Sequence, residues 1–278
     1  MIDWIKKILY GTVPHICLGM AYPQSPKLKY YKFFREHPYT HFPYDFAREY
    51  LELPVMICWD GQKNLPFVEH GGKKLYFPRE FSEEKITKLY RALRLEQDCR
   101  YPHHYVDDPE EFRDRTLIDV GAAEGMISLD AVEKARFVYM FESDPRWIET
   151  LQATFAPWKN KVTIVEKYVS DICSDNTMTL DHFFEDKPKE RLFLKMDIEG
   201  AECKALKGTQ NLFRQASDLE FAICTYHRKN DLRDISAFLD RFSCSYAPRE
   251  GYIYVNHRMR TGLVRGHKGN TVLRAKIH

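Results

Sequence analysis

The feature that most constrains this chain is a regular exchange of strand-like and helix-like runs that begins at Thr116. TLIDVG (116–121) is an apolar run ending in Asp-Val-Gly, and GMISLDAVEKA (125–135) follows with helical spacing. FVYMFES (137–143) is a second strand. Asp144 then stands as the cap of a helix with Pro145 first and Ile148, Leu151 and Phe155 on one face. KVTIVEKYVS (161–170) is the third strand, and a short helix with Leu180, Phe183 and Phe184 leads to the fourth, RLFLKMD (191–197). A helix from Gly200 to Phe213 precedes the fifth, LEFAICTYH (219–227), and Asn230 caps a helix bearing Leu232, Ile235, Leu239 and Phe242. YIYVNH (252–257) and TVLRAKI (271–277) are candidate final strands. Strands joined by single helices demand right-handed crossovers, so the pattern predicts a doubly wound, mostly parallel, Rossmann-like α/β sheet.

Residues 1–115 have a different texture and are expected to form an extension on a core domain of 116–278. The extension is rich in Pro and aromatics, as in KYYKFFREHPYTHFPYDF (29–46). PVMICWDGQ (54–62), LPFVEH (65–70) and KKLYFP (73–78) predict short strands around Gly71-Gly72, and Ser82 predicts the cap of a helix with Ile86, Leu89 and Leu93 on one face. At the start, Ile2, Ile5, Ile8 and Leu9 predict one face of a short helix that docks on the chain's own body, with docking on a membrane as the less favoured alternative. Asp3 and two lysines break this run, which argues against a signal peptide, and no segment reads as a membrane span.

Composition narrows the class further. The chain is 44% hydrophobic and 29% charged, as folded globular proteins are, and a net charge of +2 offers no whole-chain argument for nucleic acid. Seven scattered cysteines without a CxxC pair argue against a disulfide framework and point to a reducing, cytoplasmic compartment. Charge is uneven only at the end. After Glu250 come six Lys or Arg and three His, which reads first as a solvated edge and alternatively as a rim that attracts an anionic group on an acceptor.

In a doubly wound sheet, ligands bind at the carboxyl ends of the strands where the winding reverses. There the first strand reads Asp119-Val-Gly-Ala-Ala-Glu-Gly125. Its GxxxG spacing is not the GxGxxG of a dinucleotide site, and Glu124 stands where a pyrophosphate needs positive surroundings. A cofactor with a sulfonium and an amino group suits Asp119 and Glu124 better. Glu142, at the end of the second strand, is placed to accept both hydroxyls of a ribose. Lys195 and Asp197 project from one face of the fourth strand, with Glu199 and Glu202 next along the chain. His227 ends the fifth strand and is the candidate general base, while His103 and His104 are secondary candidates. Lys195, Asp197, Glu199 and His227 thus form the candidate catalytic set. The histidines fit no HExxH-type spacing, so no built-in zinc site is expected. A divalent ion such as magnesium, held by Asp197, Glu199 and acceptor oxygens, stays open.

These motifs carry a resemblance. FLKMDIEGAECKALKG (193–208) resembles the signature of the FkbM-type methyltransferase family, with its lysine, Asp-x-Glu-Gly-Ala-Glu core and later Lys-Gly. LIDVGAAEG and FES (141–143) look like that family's first and second cofactor motifs, and TLDHFF resembles its Thr-Leu-Asp segment. KKLYFPREFSEEKI and PHHY (102–105) are similar to the region before the domain in some members. The resemblance implies a class I methyltransferase fold and S-adenosylmethionine, with methylation of hydroxyls, often on sugars or polyketides. It implies cofactor contacts at Gly121, Glu124, Gly125 and Glu142, with Asp197 near the methionine end. Ala122 and Ser143, inside the same motifs, join Asp119 in the candidate cofactor set. Many members carry an acid before the fifth-strand histidine, whereas this strand ends CTYH. The expected activity is O-methylation of a carbohydrate or similar polar, possibly anionic, acceptor, with no nucleic acid partner. The competing readings are a nicotinamide-dependent oxidoreductase and a non-catalytic module that binds the same cofactor.

Overall fold

The computed structural model describes residues 3–37, 42–253 and 272–277. Helix α1 (Asp3–Lys6) runs through a π-turn (Lys7–Thr12) into α2 (Val13–Ala21), and α3 (Leu28–Glu36) folds back along both. Gly11 permits that close approach, because a β-carbon there would lie 2.4 Å from the Arg35 amide nitrogen. The helix docks, but not by the face expected: the side carrying Gly11 packs on α3 and the side carrying Ile8 and Leu9 does not. Ile5 is half-buried, Ile8 and Leu9 are exposed, and Ile2 lies outside the described residues.

After α4 (Ala47–Leu51) come three antiparallel strands, β1 (Ile57–Asp60), β2 (Leu65–His70) and β3 (Lys73–Tyr76), as the sequence predicts. Helix α5 (Glu83–Glu96) begins at its expected cap, where Ser82 Oγ accepts the Lys85 amide, and Glu83 and Glu84 face the positive end of the helix dipole.

The rest of the chain alternates as expected. It forms β4 (Thr116–Val120), α6 (Met126–Ala131), β5 (Phe137–Phe141), α7 (Pro145–Phe155), β6 (Val162–Val165), β7 (Tyr168–Val169), β8 (Thr177–Met178) and α8 (Leu180–Phe183). Then come β9 (Leu192–Met196), α9 (Glu202–Lys207), α10 (Gln210–Gln215), β10 (Leu219–Cys224), α11 (Asp231–Leu239), β11 (Cys244–Pro248) and β12 (Val272–Ile277). Seven strands join in the order β11-β12-β10-β9-β4-β5-β6, and β12 runs antiparallel to both of its neighbours. The neighbours from β10 through β9, β4 and β5 to β6 pair in parallel. The chain leaves β4 through β5 and β6, then returns to β9 on the other side of β4. That reversal opens a crevice above the carboxyl ends of β4 and β9.

Side-chain alternation fills both faces of the sheet. Leu117 and Phe193 point into a core shared with Leu129, Val138, Leu151 and Phe155, and also with Val68, Leu75, Phe77 and Ile86 from the first hundred residues. Ile118, Val120, Leu194 and Met196 point the other way, onto Leu206, Phe213, Phe221 and Ile235. A fully buried side chain of this size contributes about 1.5–3 kcal/mol, so these two layers fix the register in which Asp119 lies opposite Lys195.

The structure departs from expectation at four places. The run 161–170 splits, because Lys167 turns back to bond the Val165 carbonyl and Tyr168–Val169 pairs with β8 instead. The helix expected over 125–135 stops at Ala131, whose carbonyl takes the amides of both Lys134 and Ala135 as the chain turns into β5. The helix expected over 200–213 breaks at Gly208, where a β-carbon would sit 2.2 Å from the Ser170 carbonyl oxygen. Lastly, the sheet includes β11, a strand not expected from the sequence. Tyr252 exchanges hydrogen bonds with Tyr44 Oη (2.9 and 3.1 Å), which diverts its backbone from any ladder, and 254–257 lie outside the described residues.

Candidate active site

The crevice is built by two strand ends pressed together. Gly121 leaves β4 with φ +78°, and a β-carbon there would lie 1.9 Å from the Asp197 carbonyl oxygen. Only glycine allows that contact. Glu142, at the end of β5, accepts the amides of Ala123 (2.9 Å), Ser143 (2.7 Å) and Asp144 (2.8 Å), which ties the loop after β4 to the end of β5. Over these groups lies a cavity of about 620 Å³ whose walls include Gly121, Glu142, Ser143, Trp147, Tyr168 and Glu199.

A smaller cavity of about 80 Å³ shares Gly121, Ala123 and Asp197 with the first. Glu96, Gln97, His103 and Tyr105 line it from the first hundred residues and those just after, and Asp119, Ala122, Glu124 and Lys195 line it from the sheet side. Lys195 is buried there. Its Nζ donates to the Gly121 carbonyl (2.5 Å) and pairs with Asp119 Oδ1 (3.0 Å), while Ser128 Oγ donates to Asp119 Oδ2 (2.7 Å). Burial opposes the charge on Lys195, but Asp119 and Asp197 outweigh it and hold its pKa above the ordinary lysine value. Burial pushes Glu124 up to about 7, against its own amide and Lys195. Burial, with the nearby charges of Asp197 and Glu124, pushes Glu96 up to about 8. Two carboxyls of this cavity therefore titrate near neutrality.

Asp197 is the hub between the two cavities. Tyr105 Oη donates to its Oδ2 (2.7 Å), and His103 Nε2 lies 3.7 Å from the same oxygen and 2.8 Å from Tyr226 Oη. His227 Nε2 lies 3.3 Å from Asp197 Oδ1 and 3.6 Å from Glu199 Oε2. On the other side of the ring, His227 Nδ1 is 2.8 Å from Glu202 Oε1. Carboxylates only accept, so the imidazolium donates from both nitrogens; in the neutral ring the shorter contact keeps the hydrogen on Nδ1 toward Glu202 and leaves the lone pair at Nε2. Glu202 is itself fully buried and also accepts the Ile198 amide (2.9 Å), leaving Oε2 without a partner. Burial works against charge on His227, yet the bond to Glu202 and the charges of Asp197, Glu202 and Glu199 raise its pKa above 6.5. Burial lowers that of His103 to about 4. Asp197 feels burial most, but Lys195, His103, His227 and the Tyr105 hydroxyl together keep its carboxyl ionised below the usual value. Glu199 and Gly200 carry the loop over this hub with φ +54° and +94°, a conformation costly at a non-glycine residue.

Residues 118–254 match the family model described as the methyltransferase FkbM domain. That segment belongs to the FkbM methyltransferase family. A comparison with curated proteins returns no match. Among solved structures, the chain is similar to methyltransferase FkbM from Methylobacillus flagellatus KT, with 23% identity, 70% of this chain and 55% of that chain covered, and a TM-score of 0.42. It thus spans little more than half of that protein's length. It is also similar to a SAM-dependent O-methyltransferase from Thermotoga maritima (14% identity, 59% of each chain, TM-score 0.35). A third is TYW2 from M. jannaschii in complex with AdoMet (10% identity, 80% of this chain and 91% of that one, TM-score 0.39). The doubly wound, mostly parallel α/β sheet expected from the sequence is the one observed.

Within the FkbM domain the candidates named from sequence line the two cavities, except Gly125 and His227; His227 lies behind their wall, beside Asp197 and Glu199. A β-carbon on Gly125 would lie 2.5 Å from Leu151, so its role there is close packing on α7. His103 joins the Asp197 hub, but His104 does not. It is held by the Tyr101 carbonyl (2.5 Å) and Asp107 (2.8 Å), which corrects its reading as a second histidine over the cleft. Of the basic residues after Glu250, Arg274 pairs with Glu111 (2.6 Å) and Lys276 with Glu220 (3.2 Å), so neither is a spare cation for an acceptor. Arg258, Arg260, Arg265 and Lys268 lie outside the described residues. Sequence reasoning missed Glu96, Gln97, Tyr105 and Tyr226. The PHHY run was the one available signal, and it pointed to its histidines more than to Tyr105. Among the described residues, His, Cys and carboxylate donors converge in two groups, His103–Asp197–Cys224 and Asp197–Glu202–His227. No helix among them is long and apolar enough to cross a membrane.

Proposed function

We propose that this chain transfers a methyl group from S-adenosylmethionine to a hydroxyl of a polar acceptor of the carbohydrate class. One observation carries the reading. Carboxyl groups outnumber cations in the walls of the paired cavities: Glu142, Asp144, Asp197, Glu199, Glu96, Glu124 and Asp119 stand against Lys167, Lys204 and a Lys195 already paired with Asp119, and Glu124 and Glu96 titrate near neutrality. That lining repels a pyrophosphate, as the nicotinamide alternative requires, and suits a ligand with a sulfonium, an ammonium and a ribose diol. Glu142 and Ser143 would hold the ribose end, and Gly121 and Ala122 the backbone wall. Glu96 and Glu124 would hold the ammonium, with Asp119 and Lys195 fixing the wall behind it. S-adenosylmethionine, when bound, supplies a methyl group on a positively charged sulfur.

On the acceptor side, His227 takes the proton of a hydroxyl lying over Asp197, and Glu202 holds the ring so that Nε2 faces that hydroxyl. Asp197 and Glu199 stabilise the imidazolium that results. The first 115 residues act in this reading as an extension that closes the cofactor end through Glu96, Gln97, His103 and Tyr105. A second reading has its own observation. His227 Nε2, Asp197 Oδ1 and Glu199 Oε2 face one another while Glu202 bonds the opposite ring nitrogen, which is how carboxylate-oriented histidines hold a divalent ion. Treatment with EDTA separates the two. Unchanged transfer supports the base, and loss restored by magnesium supports the ion.

The cofactor assignment is tested by calorimetry. S-adenosylmethionine and S-adenosylhomocysteine are expected to bind where NAD does not. A cationic ligand favours the ionised carboxyls, so affinity for S-adenosylmethionine rises as pH climbs through about 7 and about 8, where Glu124 and Glu96 lose their protons. Near pH 7, binding releases protons, seen as a binding heat that changes with the buffer's ionisation heat. Binding of NAD alone, or no cofactor binding, sinks the assignment.

A further inference from the structure

The amino-terminal helix is apolar on both sides, and only one side is covered. Gly11 and Leu18, seven residues apart, face α3 and its Tyr31–Phe34 cluster. Leu9, Val13, Ile16 and Met20, at spacings of four, three and four, fall on the opposite side of the helix. With Trp4 and Ile8, which extend the stripe across the π-turn, their exposures run from 41% at Ile8 to 82% at Met20. A helix apolar all round needs cover on its outer face too.

Charge says what covers it. Residues 8–26 contain no Asp, Glu, Lys or Arg. Lys6 and Lys7 stand before this stretch and Lys27, Lys29, Lys32 and Arg35 after it, against only Asp3 and Glu36 among the first 37 residues. Lys29 and Lys32 are exposed. An apolar stripe flanked by cations complements the surface of a bilayer that carries anionic headgroups, with lysines at the phosphates and the stripe among the upper acyl chains. A second copy of the chain complements it poorly, since pairing the stripes would bring two sets of these lysines to one seam. We infer that the helix over residues 3–21 lies in the plane of an anionic membrane surface and seats the protein there peripherally, without crossing it. This inference does not depend on the methyl-transfer reading.

Flotation of the full chain with vesicles tests it. The protein is expected to rise with phosphatidylcholine vesicles containing phosphatidylserine, and to rise less with pure phosphatidylcholine or at high salt. A combined Leu9→Glu, Ile16→Glu and Met20→Glu variant should lower the bound fraction by about tenfold or more. Its melting temperature should stay unchanged, because all three side chains face solvent. Lipids brominated on their acyl chains should quench tryptophan emission in the parent, and a Trp4→Phe variant should lose that part of the quenching. Protein that remains at the bottom with both vesicle types overturns the inference, as does a triple variant that floats as well as the parent. A self-association in sedimentation that the same variant abolishes, without flotation of the parent, assigns the stripe to a second copy instead.

Discussion

His227→Ala is expected to lower the methyl-transfer rate by about 10²-fold or more while leaving affinity for S-adenosylmethionine nearly intact. A sugar hydroxyl keeps its proton at neutral pH, so an acceptor for that proton has to be in place as the new carbon–oxygen bond forms. His227 has the geometry for it, with Nδ1–H held by Glu202 (2.8 Å) and Nε2 turned toward Asp197 and Glu199. The sign of the pH dependence follows. A base works only when unprotonated, and the pKa of His227 is raised above 6.5, so the acid limb of the rate profile lies above pH 6.5. Glu202→Gln keeps an acceptor for Nδ1–H but removes the charge that strengthens that bond and helps raise the pKa, so its limb moves to lower pH. Ordinary rates in His227→Ala would move proton acceptance to Glu199 or to positioning alone, since His104 is held away from the cleft.

Glu142→Ala is expected to weaken S-adenosylmethionine binding by about 1.5–3 kcal/mol, or about 10- to 150-fold, because two charge-assisted hydrogen bonds to a ribose are lost. The same carboxylate also collects the amides of Ala123, Ser143 and Asp144, so part of the effect comes from a looser loop after β4. Glu142→Gln keeps an acceptor of the same shape and should recover part of the affinity. Calorimetry on variants shown to be folded by their melting transitions measures both. Unchanged affinity in Glu142→Ala removes the ribose role.

The parts of this site that were legible in sequence are those written into local pattern. Central strands of a parallel sheet are buried on both faces, so TLIDVG and RLFLKMD read as unbroken apolar runs, and their last residues mark the crevice. Gly121 and Glu142 were visible because a strand end followed by a turn fixes what stands at the ligand edge. Glu96 and Tyr105 were not, because nothing in the period of α5 or in the PHHY run says which face will meet Asp197 almost a hundred residues later. Contact between distant segments leaves no local trace. The same holds for β11, an edge strand with a half-exposed, Pro-ended pattern that carries little apolar signal. Gly208 looked tolerable inside a helix, and the Ser170 carbonyl that makes it a break belongs to a different segment. The His227–Glu202 pair is half legible, since both residues stand at the ligand edge, but an acid in the first turn of a helix also suits the helix dipole, so Glu202 alone signals no partner.

In the reading proposed above, the Asp197 hub promotes methyl transfer to oxygen. That reading is tested most directly by incubating the full chain with S-adenosylmethionine labelled in its methyl group and a panel of sugars, nucleotide-sugars and lipid-linked glycans. Analysis of each product then reads which atom carries the label. Label is expected on a hydroxyl oxygen of a glycan acceptor, as a base-stable methyl ether, formed with one equivalent of S-adenosylhomocysteine and lost in His227→Ala. Label found only on nitrogen or carbon, or cofactor bound without transfer to any acceptor of the panel, would contradict that reading.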